Sequence, residues 1–196
     1  MPDARTTGGR ALGASLVAVV LTCAGALATD AVPGAAASTA CAGVNVHPNA
    51  TNMLTADAAT LCLVNRMRRT RRLRPLRANH ELGRVARSQV TTMVDRDYFS
   101  DLRPTGQTPL SLVAVTRYPA HAAEFSVGQN IAWGTGNFTT PAHIVAEWMA
   151  SPPHREIMLS GVYRDAGVAV TPAVPTILSS SGAGATYAIE FGVRRF

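Results

Sequence analysis

The stretch EWMASPPHREIML, residues 147–159, says most about the fold of this chain. Upstream of it, Thr140-Pro141 combines a helix-capping side chain with a proline suited to the first helical position, which predicts a helix to Ala150. The prolines then predict a turn into one more short helical piece, with His154 at the junction. The apolar residues at helical spacing that we expect to face inward are Ile144, Val145, Trp148 and Met149.

The segments around this stretch predict further helices first and strands later. A helix is expected over residues 55–72, with Thr55 as its cap and Pro75 as its stop, and Thr108-Pro109 predicts a short helix to Thr116. Strands are expected over 126–133, 166–171 and 186–194. This order indicates one mixed α+β domain without internal repeats. A further helix from a cap at Asn79 to Arg96 has the inner stripe Leu82, Val85, Ala86, Gln89, Val90 and Met93.

Residues 1–40 are typical of an export signal. Arg5 and Arg10 precede a charge-free run over 11–28 that ends in small residues, and cleavage motifs lie near 28–40. The length of this run also permits an uncleaved membrane anchor. Cleavage is the preferred interpretation because alanine and glycine dominate the run.

The three cysteines support export to an oxidising compartment. Cys23 lies inside the predicted signal, so Cys41 and Cys62 remain as a pair, and we expect them to form a disulfide. Closing such a loop stabilises the folded chain by about 3 kcal/mol in the chain-entropy view. The alternatives are two buried free thiols or lipidation of Cys41, although Ser38 is not the apolar residue that a lipoprotein site requires.

Charge is sparse and strongly basic. Charged residues make up 15% of the chain, the formal net charge is +6, and all 18 basic residues are arginine. The absence of lysine fits the coding bias of a GC-rich genome. The densest run of arginines has two explanations. The helix dipole favours cations near the C-terminus of a helix, or the arginines contact an anionic envelope polymer or lipid headgroup. Nucleic acid is not expected for an exported protein. That run comprises Arg66, Arg68, Arg69, Arg71, Arg72, Arg74 and Arg77.

Several motifs in order resemble the bacterial branch of the CAP superfamily of cysteine-rich secretory, antigen 5 and pathogenesis-related 1 proteins (SCP-like domains). The resemblance implies an α-β-α sandwich with a central antiparallel sheet over residues 55–196, preceded by an extended lead-in over 41–54. The motifs, spread over residues 55–195, are LCLVNR at 61–66, LRPL at 73–76, DYFS at 97–100, GQNIAWG at 128–134, EWMASPPHREIML, GVAV at 167–170 and YAIEFG at 187–192.

The same resemblance implies a cavity lined by two histidines and two acidic residues that holds a divalent metal such as zinc. Here Asp101 stands where the bacterial motif has histidine, and Gln129 stands where it has glutamate, while His154 is retained and Glu190 replaces an aspartate or glutamine. An amide is a poor zinc ligand and cannot accept a proton at neutral pH, and a carboxylate-rich set favours calcium, magnesium or manganese. We therefore expect a hydrogen-bonded polar cluster lining a cleft and no cofactor, with a divalent ion at Asp101, His154 and Glu190 as the alternative.

These observations favour a secreted, extracellular or envelope-associated module without enzymatic activity. It would bind an envelope polymer, a lipid or a small ligand. One alternative is a metal-dependent hydrolase using His154 with Asp101 and Glu190, and another is a lipid-binding protein. The chain contains no Gly-x-Ser-x-Gly, His-Glu-x-x-His or glycine-rich phosphate-binding motif. Two further pairs, His143 with Glu147 and His121 with Glu124, could supply ligands to a site but fit ordinary surface residues.

Overall fold

Most of the predicted helices begin where the sequence places a capping side chain. A computed structural model describes residues 40–196; residues 1–39, with the predicted export signal and Cys23, lie outside the described residues. No helix within the described part is long and apolar enough to cross a bilayer. The elements in chain order are α1 (Met53–Thr70), β1 (Arg77–Ala78), α2 (His80–Asp95), α3 (Pro109–Ala114), β2 (Glu124–Gly134), a 3-10 turn (Gly136–Thr139), α4 (Pro141–Ala150), α5 (Pro152–Met158), β3 (Asp165–Thr171) and β4 (Ala185–Arg195).

The caps of α2, α3 and α4 are those predicted. The Asn79 side chain accepts a hydrogen bond from the Leu82 amide at 3.1 Å, and Thr108 forms a capping box with Ser111. The start of α1 was predicted two residues too late, because Thr55 is not its cap. The helix begins after Asn52, whose side-chain oxygen accepts a hydrogen bond from the backbone of Asn49 instead.

The sheet has four strands in the order β1-β3-β4-β2. The pairs β2–β4 and β3–β4 are antiparallel, as predicted, whereas β1 pairs with β3 in parallel, with Arg77 opposite Asp165. The three long strands thus form the predicted antiparallel sheet, to which β1 adds a short parallel pair at one edge. A strand of two residues has no alternation of polar and apolar side chains by which a sequence could reveal it.

Helices cover both faces of the sheet, which confirms the α-β-α sandwich. One face packs against α1, α4 and α5, and the other packs against α2 and α3. The central strand β4 shows the consequence, since residues 185–192 are all buried. On the second face, α2 approaches β3 so closely that a Cβ atom on Gly167 would lie 2.0 Å from the Gly83 nitrogen.

The lead-in has turns at residues 42–45 and 50–52, joined by residues 46–49 without regular structure, and it ends at residue 52 rather than 54 because α1 begins at Met53. The predicted disulfide joins Cys41 to Cys62 on α1. His47 bonds the Thr139 hydroxyl at 2.8 Å, and the carbonyl oxygen of Val44 accepts a bond from the amide of Ala142 at 2.9 Å. The disulfide and these hydrogen bonds hold the lead-in against α1 and the start of α4.

Candidate functional site

Gln129 and Glu190, two of the four predicted cavity residues, form a direct pair inside the domain. They lie opposite each other in the β2–β4 register, and both are buried. The Gln129 amide Nε2 donates a hydrogen bond to Glu190 Oε1. The side chain that replaces the family's glutamate is therefore engaged with the neighbouring acid.

Burial also decides the charge of Glu190. Desolvation raises the pKa of Glu190 to about 8; the Gln129 hydrogen bond opposes this shift, the negative charge of Asp101 adds to it, and Arg103 opposes it. Within residues 40–196, Glu190 Oε2 and Gln129 Oε1 have no hydrogen-bond partner. A proton on Oε2 turns that atom from an acceptor into a donor. At neutral pH the pair is mostly uncharged.

Asp101 lies in the loop after α2, and hydrogen bonds made by Gln89 and Arg103 hold this loop in place. The Gln89 amide on α2 donates to the Ser100 carbonyl oxygen at 2.8 Å, and Arg103 Nε donates to Gln89 Oε1 at 2.9 Å. Asp101 itself is exposed. Partial desolvation raises the pKa of Asp101, and the nearby His154 opposes that shift. The loop therefore brings Asp101 within electrostatic reach of both His154 and Glu190.

His154 belongs to α5 and meets the sheet from the other side of β2. Its Nδ1 shares a 2.8 Å hydrogen bond with Ser151 Oγ, and its carbonyl oxygen accepts from Asn130 Nδ2 at 3.0 Å. Successive residues of a strand face opposite ways, so Asn130 and Gln129 point to opposite faces of β2. The edge strand therefore lies between the His154 backbone and the Gln129–Glu190 pair.

These placements do not fit the metal that the family resemblance implies. Within residues 40–196, no group of three or more His, Cys, Asp or Glu side chains is arranged to hold a metal ion. Gln129 presents an N–H group, which cannot ligate a cation, to a carboxyl group that burial keeps protonated. Asp101 interacts electrostatically with His154 and Glu190, and Gln129 bonds Glu190, but these contacts do not form a set of ligands.

The two other histidine pairs stay apart from this site. His143 Nε2 lies 3.7 Å from Glu147 Oε1, and its ring packs 4.6 Å from that of Phe138. The indole of Trp148 is buried and donates to the Ile131 carbonyl oxygen at 3.0 Å, so it does not join them.

The second pair, His121 with Glu124, also lies at the surface. His121 is exposed in a loop, and Glu124 pairs with Arg195 at 3.3 Å. Glu124 is therefore committed to an ion pair outside the cavity cluster.

Sequence motifs do not reveal the residues that support the site. Gln89 was assigned only to the inner stripe of α2, although a buried amide in an apolar stripe is itself a signal of a polar contact. Asn130 lies next to Gln129 in the motif at 128–134, and Arg103 had no role. Each of these side chains bonds a residue at least eleven positions away, which no local pattern predicts.

Arg68 differs from the other arginines of the cluster at 66–77. It is fully buried, and its guanidinium donates to four carbonyl oxygens, those of Arg74 at 3.0 Å, Met158 at 2.7 Å, Ser160 at 2.9 Å and Tyr163 at 3.4 Å. Desolvation lowers the pKa of Arg68, and the charge of Arg164 adds to this shift. This arginine holds α1 against the end of α5, so it is not part of an outward-facing basic surface.

The sandwich with this cluster defines an SCP-type domain, and the comparisons with known proteins agree. A model of the family described as "Cysteine-rich secretory protein family" (CAP) matches residues 61–174. The chain therefore belongs to the CAP family. An uncharacterized protein of Bacillus subtilis, YkwD, is 31% identical over 106 residues, which is 54% of this chain and 38% of that protein.

Solved structures share the fold at low sequence identity. An outer surface protein of Borrelia burgdorferi has a TM-score of 0.58 and 14% identity, covering 77% of this chain and 99% of that one. An extracellular SCP-domain protein of Bacillus anthracis has a TM-score of 0.54 and 23% identity, covering 74% and 40%. A cysteine-rich secretory protein of Staphylococcus aureus has a TM-score of 0.51 and 17% identity, covering 73% and 40%. The chain thus spans about two fifths of the length of YkwD and of two of these structures.

Proposed function

We propose that this chain is a secreted CAP-domain protein that acts outside the cell as a binding module without enzymatic activity. The Gln129–Glu190 pair carries the proposal. A pair in which the amide donates to a protonated acid offers neither a general base nor an anionic ligand for a metal at neutral pH.

The secreted location is supported by several independent features. The first 40 residues have the charge and hydrophobicity pattern of an export signal. The disulfide between Cys41 and Cys62 is suited to an oxidising compartment. The similar proteins of Borrelia burgdorferi and Bacillus anthracis are described as an outer surface and an extracellular protein.

Metal titration tests the loss of cavity chemistry. We expect isothermal titration with zinc, calcium and manganese to give no binding heat, and thermal melts to show no shift with any of these ions. The Gln129→Glu variant is the matched comparison, because it restores the family's acidic residue and should gain a metal-dependent shift. Metal binding by the unaltered protein that is lost in His154→Ala would contradict the proposal.

An activity assay tests the hydrolase alternative directly. The unaltered protein and the His154→Ala and Glu190→Gln variants are assayed on peptide, ester and glycoside substrates with each metal added. We expect no turnover above that of buffer. A reproducible hydrolysis that either substitution abolishes would establish an enzyme and overturn the binding-only function.

A further inference from the structure

Six exposed arginines lie on one short part of the chain, from the second half of α1 to β1. No Asp or Glu occurs between residues 58 and 80, so nothing in the sequence neutralises them locally. Arg68 is excluded because it is buried. We call the remaining set the arginine surface: Arg66, Arg69, Arg71, Arg72, Arg74 and Arg77.

Within residues 40–196 the arginine surface forms no ion pair, unlike several other arginines of the domain. Arg84 pairs with Glu81 at 3.2 Å, Arg194 with Asp165 at 3.8 Å, and Arg195 with a glutamate of β2. Among the described residues, no arginine of this surface lies within 4.0 Å of a carboxylate. Its guanidinium groups are therefore free to donate to an external anion.

The backbone that carries the surface is held rigidly. Buried Arg68 donates to the carbonyl oxygen of Arg74 at 3.0 Å. Asn65 both donates to the Leu76 carbonyl oxygen at 3.0 Å and accepts from the Leu76 amide at 2.7 Å. These bonds fix the connection between α1 and β1, so the surface loses little backbone entropy when a ligand binds.

Arg72 occupies a position that backbone preference would assign to glycine. Its φ is 57°, just after the C-terminus of α1, and the Leu73 amide closes the helix by bonding the Arg68 carbonyl oxygen at 3.0 Å. This left-handed position favours glycine, and arginine there is disfavoured. Backbone preference at the helix end therefore does not account for this arginine, which adds a cation between Arg71 and Arg74.

We propose that the arginine surface binds a linear polyanion whose charges are phosphate groups. The planar guanidinium donates two parallel hydrogen bonds to a phosphate, and six exposed guanidinium groups between residues 66 and 77 can engage several groups of one repeating chain. The large exposed apolar side chains all lie outside residues 66–77, so the surface lacks the side chains that insert into a bilayer. The inference deepens the proposed binding role and rests on it, but it uses elements other than the Gln129–Glu190 pair.

Binding is measured by fluorescence anisotropy with end-labelled inorganic polyphosphate. We expect saturable binding that weakens steeply with salt, with a slope of about −3 in log K against log salt for roughly four phosphate contacts. Polyglutamate of matched charge and vesicles of phosphatidylglycerol are the comparison ligands. Weaker or absent binding to both is expected because neither presents a linear row of phosphates.

Two charge-matched double variants locate the site. Arg69→Gln with Arg71→Gln is expected to weaken binding about tenfold or more and to lower the salt slope, since charge-assisted bonds are lost. Arg84→Gln with Arg195→Gln removes the same net charge from paired arginines elsewhere and should change affinity by less than about twofold. If both double variants lose the same affinity for polyphosphate, net charge alone accounts for binding, and the proposal is overturned.

Arg72→Gly separates binding from folding. It should raise the melting temperature, because glycine suits the left-handed position, and still weaken polyphosphate binding. If this variant and the Arg69–Arg71 double variant both bind polyphosphate as tightly as the unaltered protein does, the proposed location of the site is wrong. Absence of binding, or binding to vesicles or polyglutamate as tight as to polyphosphate, would overturn the ligand class. A hydrolase activity would contradict the function proposed above without affecting these measurements.

Discussion

Gln129 on β2 lies directly across from Glu190 on β4, and its side-chain amide donates to the buried carboxyl group. The contact joins two of the four positions at which the CAP resemblance implies a cavity. An amide bonded to a protonated acid suits a buried layer, because neither group is charged. The domain can therefore keep this pair buried without an isolated charge.

The protonation of Glu190 predicts a stability that falls with rising pH. The folded protein keeps a proton with a pKa of about 8, which the unfolded chain releases near 4.5, so stability is complete below 4.5 and declines up to about pH 8. Burial raises the pKa of Asp57 to about 6, so the decline in stability that Asp57 adds falls mainly below pH 6. Between pH 6 and 8 we expect a loss of about 2 kcal/mol in urea unfolding.

The Glu190→Gln variant should abolish this decline above pH 6, because two amides can pair without a titrating proton. Asp57→Asn should retain the decline. Asp101 and Arg103 also act on Glu190, so the same melts in Asp101→Asn show whether their charges move the transition. A stability that is level or rising from pH 6 to 8 in the unaltered protein would refute a protonated Glu190.

Arg68→Leu should destabilise the domain by about 3 kcal/mol. The substitution leaves four carbonyl oxygens without their donor, and two of them belong to Met158 and Ser160 at the far end of α5. Arg69→Leu is the matched control. The Arg69 side chain is exposed, so this substitution should change stability by less than about 0.5 kcal/mol. Similar urea midpoints for the two variants would show that the buried guanidinium is dispensable.

Gly167→Ala should destabilise the domain by about 3 kcal/mol or more. The added Cβ would lie 2.0 Å from the Gly83 nitrogen, so α2 would have to move away from β3. Gly83→Ala is the natural comparison, because its Cβ meets nothing within 4 Å and alanine favours the helix. We expect that variant to be neutral or slightly more stable in thermal melts, and equal effects of the two would contradict the packing.

Removing the disulfide should cost about 3 kcal/mol. Cys41 and Cys62 are separated by 21 positions, and the cross-link limits the unfolded chain over that loop. The double variant Cys41→Ser, Cys62→Ser is compared with the reduced parent in guanidinium unfolding. The two should agree; a parent whose midpoint does not change on reduction would show that the bond adds no stability.

The sequence predicted the local features well. The cap at Asn79 and the stripe of α2 follow from side chains three or four positions apart, and these interactions form within a single helix. The strands were placed to within about two residues, while β1 was missed because two residues carry no pattern. The family motifs predicted four cavity positions but not which of them touch.

The sequence by itself determined the type of fold, the starts of α2, α3 and α4, and the pairing of Cys41 with Cys62, because periodicity, capping and an even cysteine count are properties of the chain. Only the tertiary structure decided that Gln129 bonds Glu190, 61 positions away, and that Arg68 reaches the carbonyl oxygen of Met158, 90 positions away. Burial sets both outcomes. It makes an isolated charge costly and a satisfied hydrogen bond necessary, so it neutralises one ionisable group and surrounds the other with carbonyl oxygens.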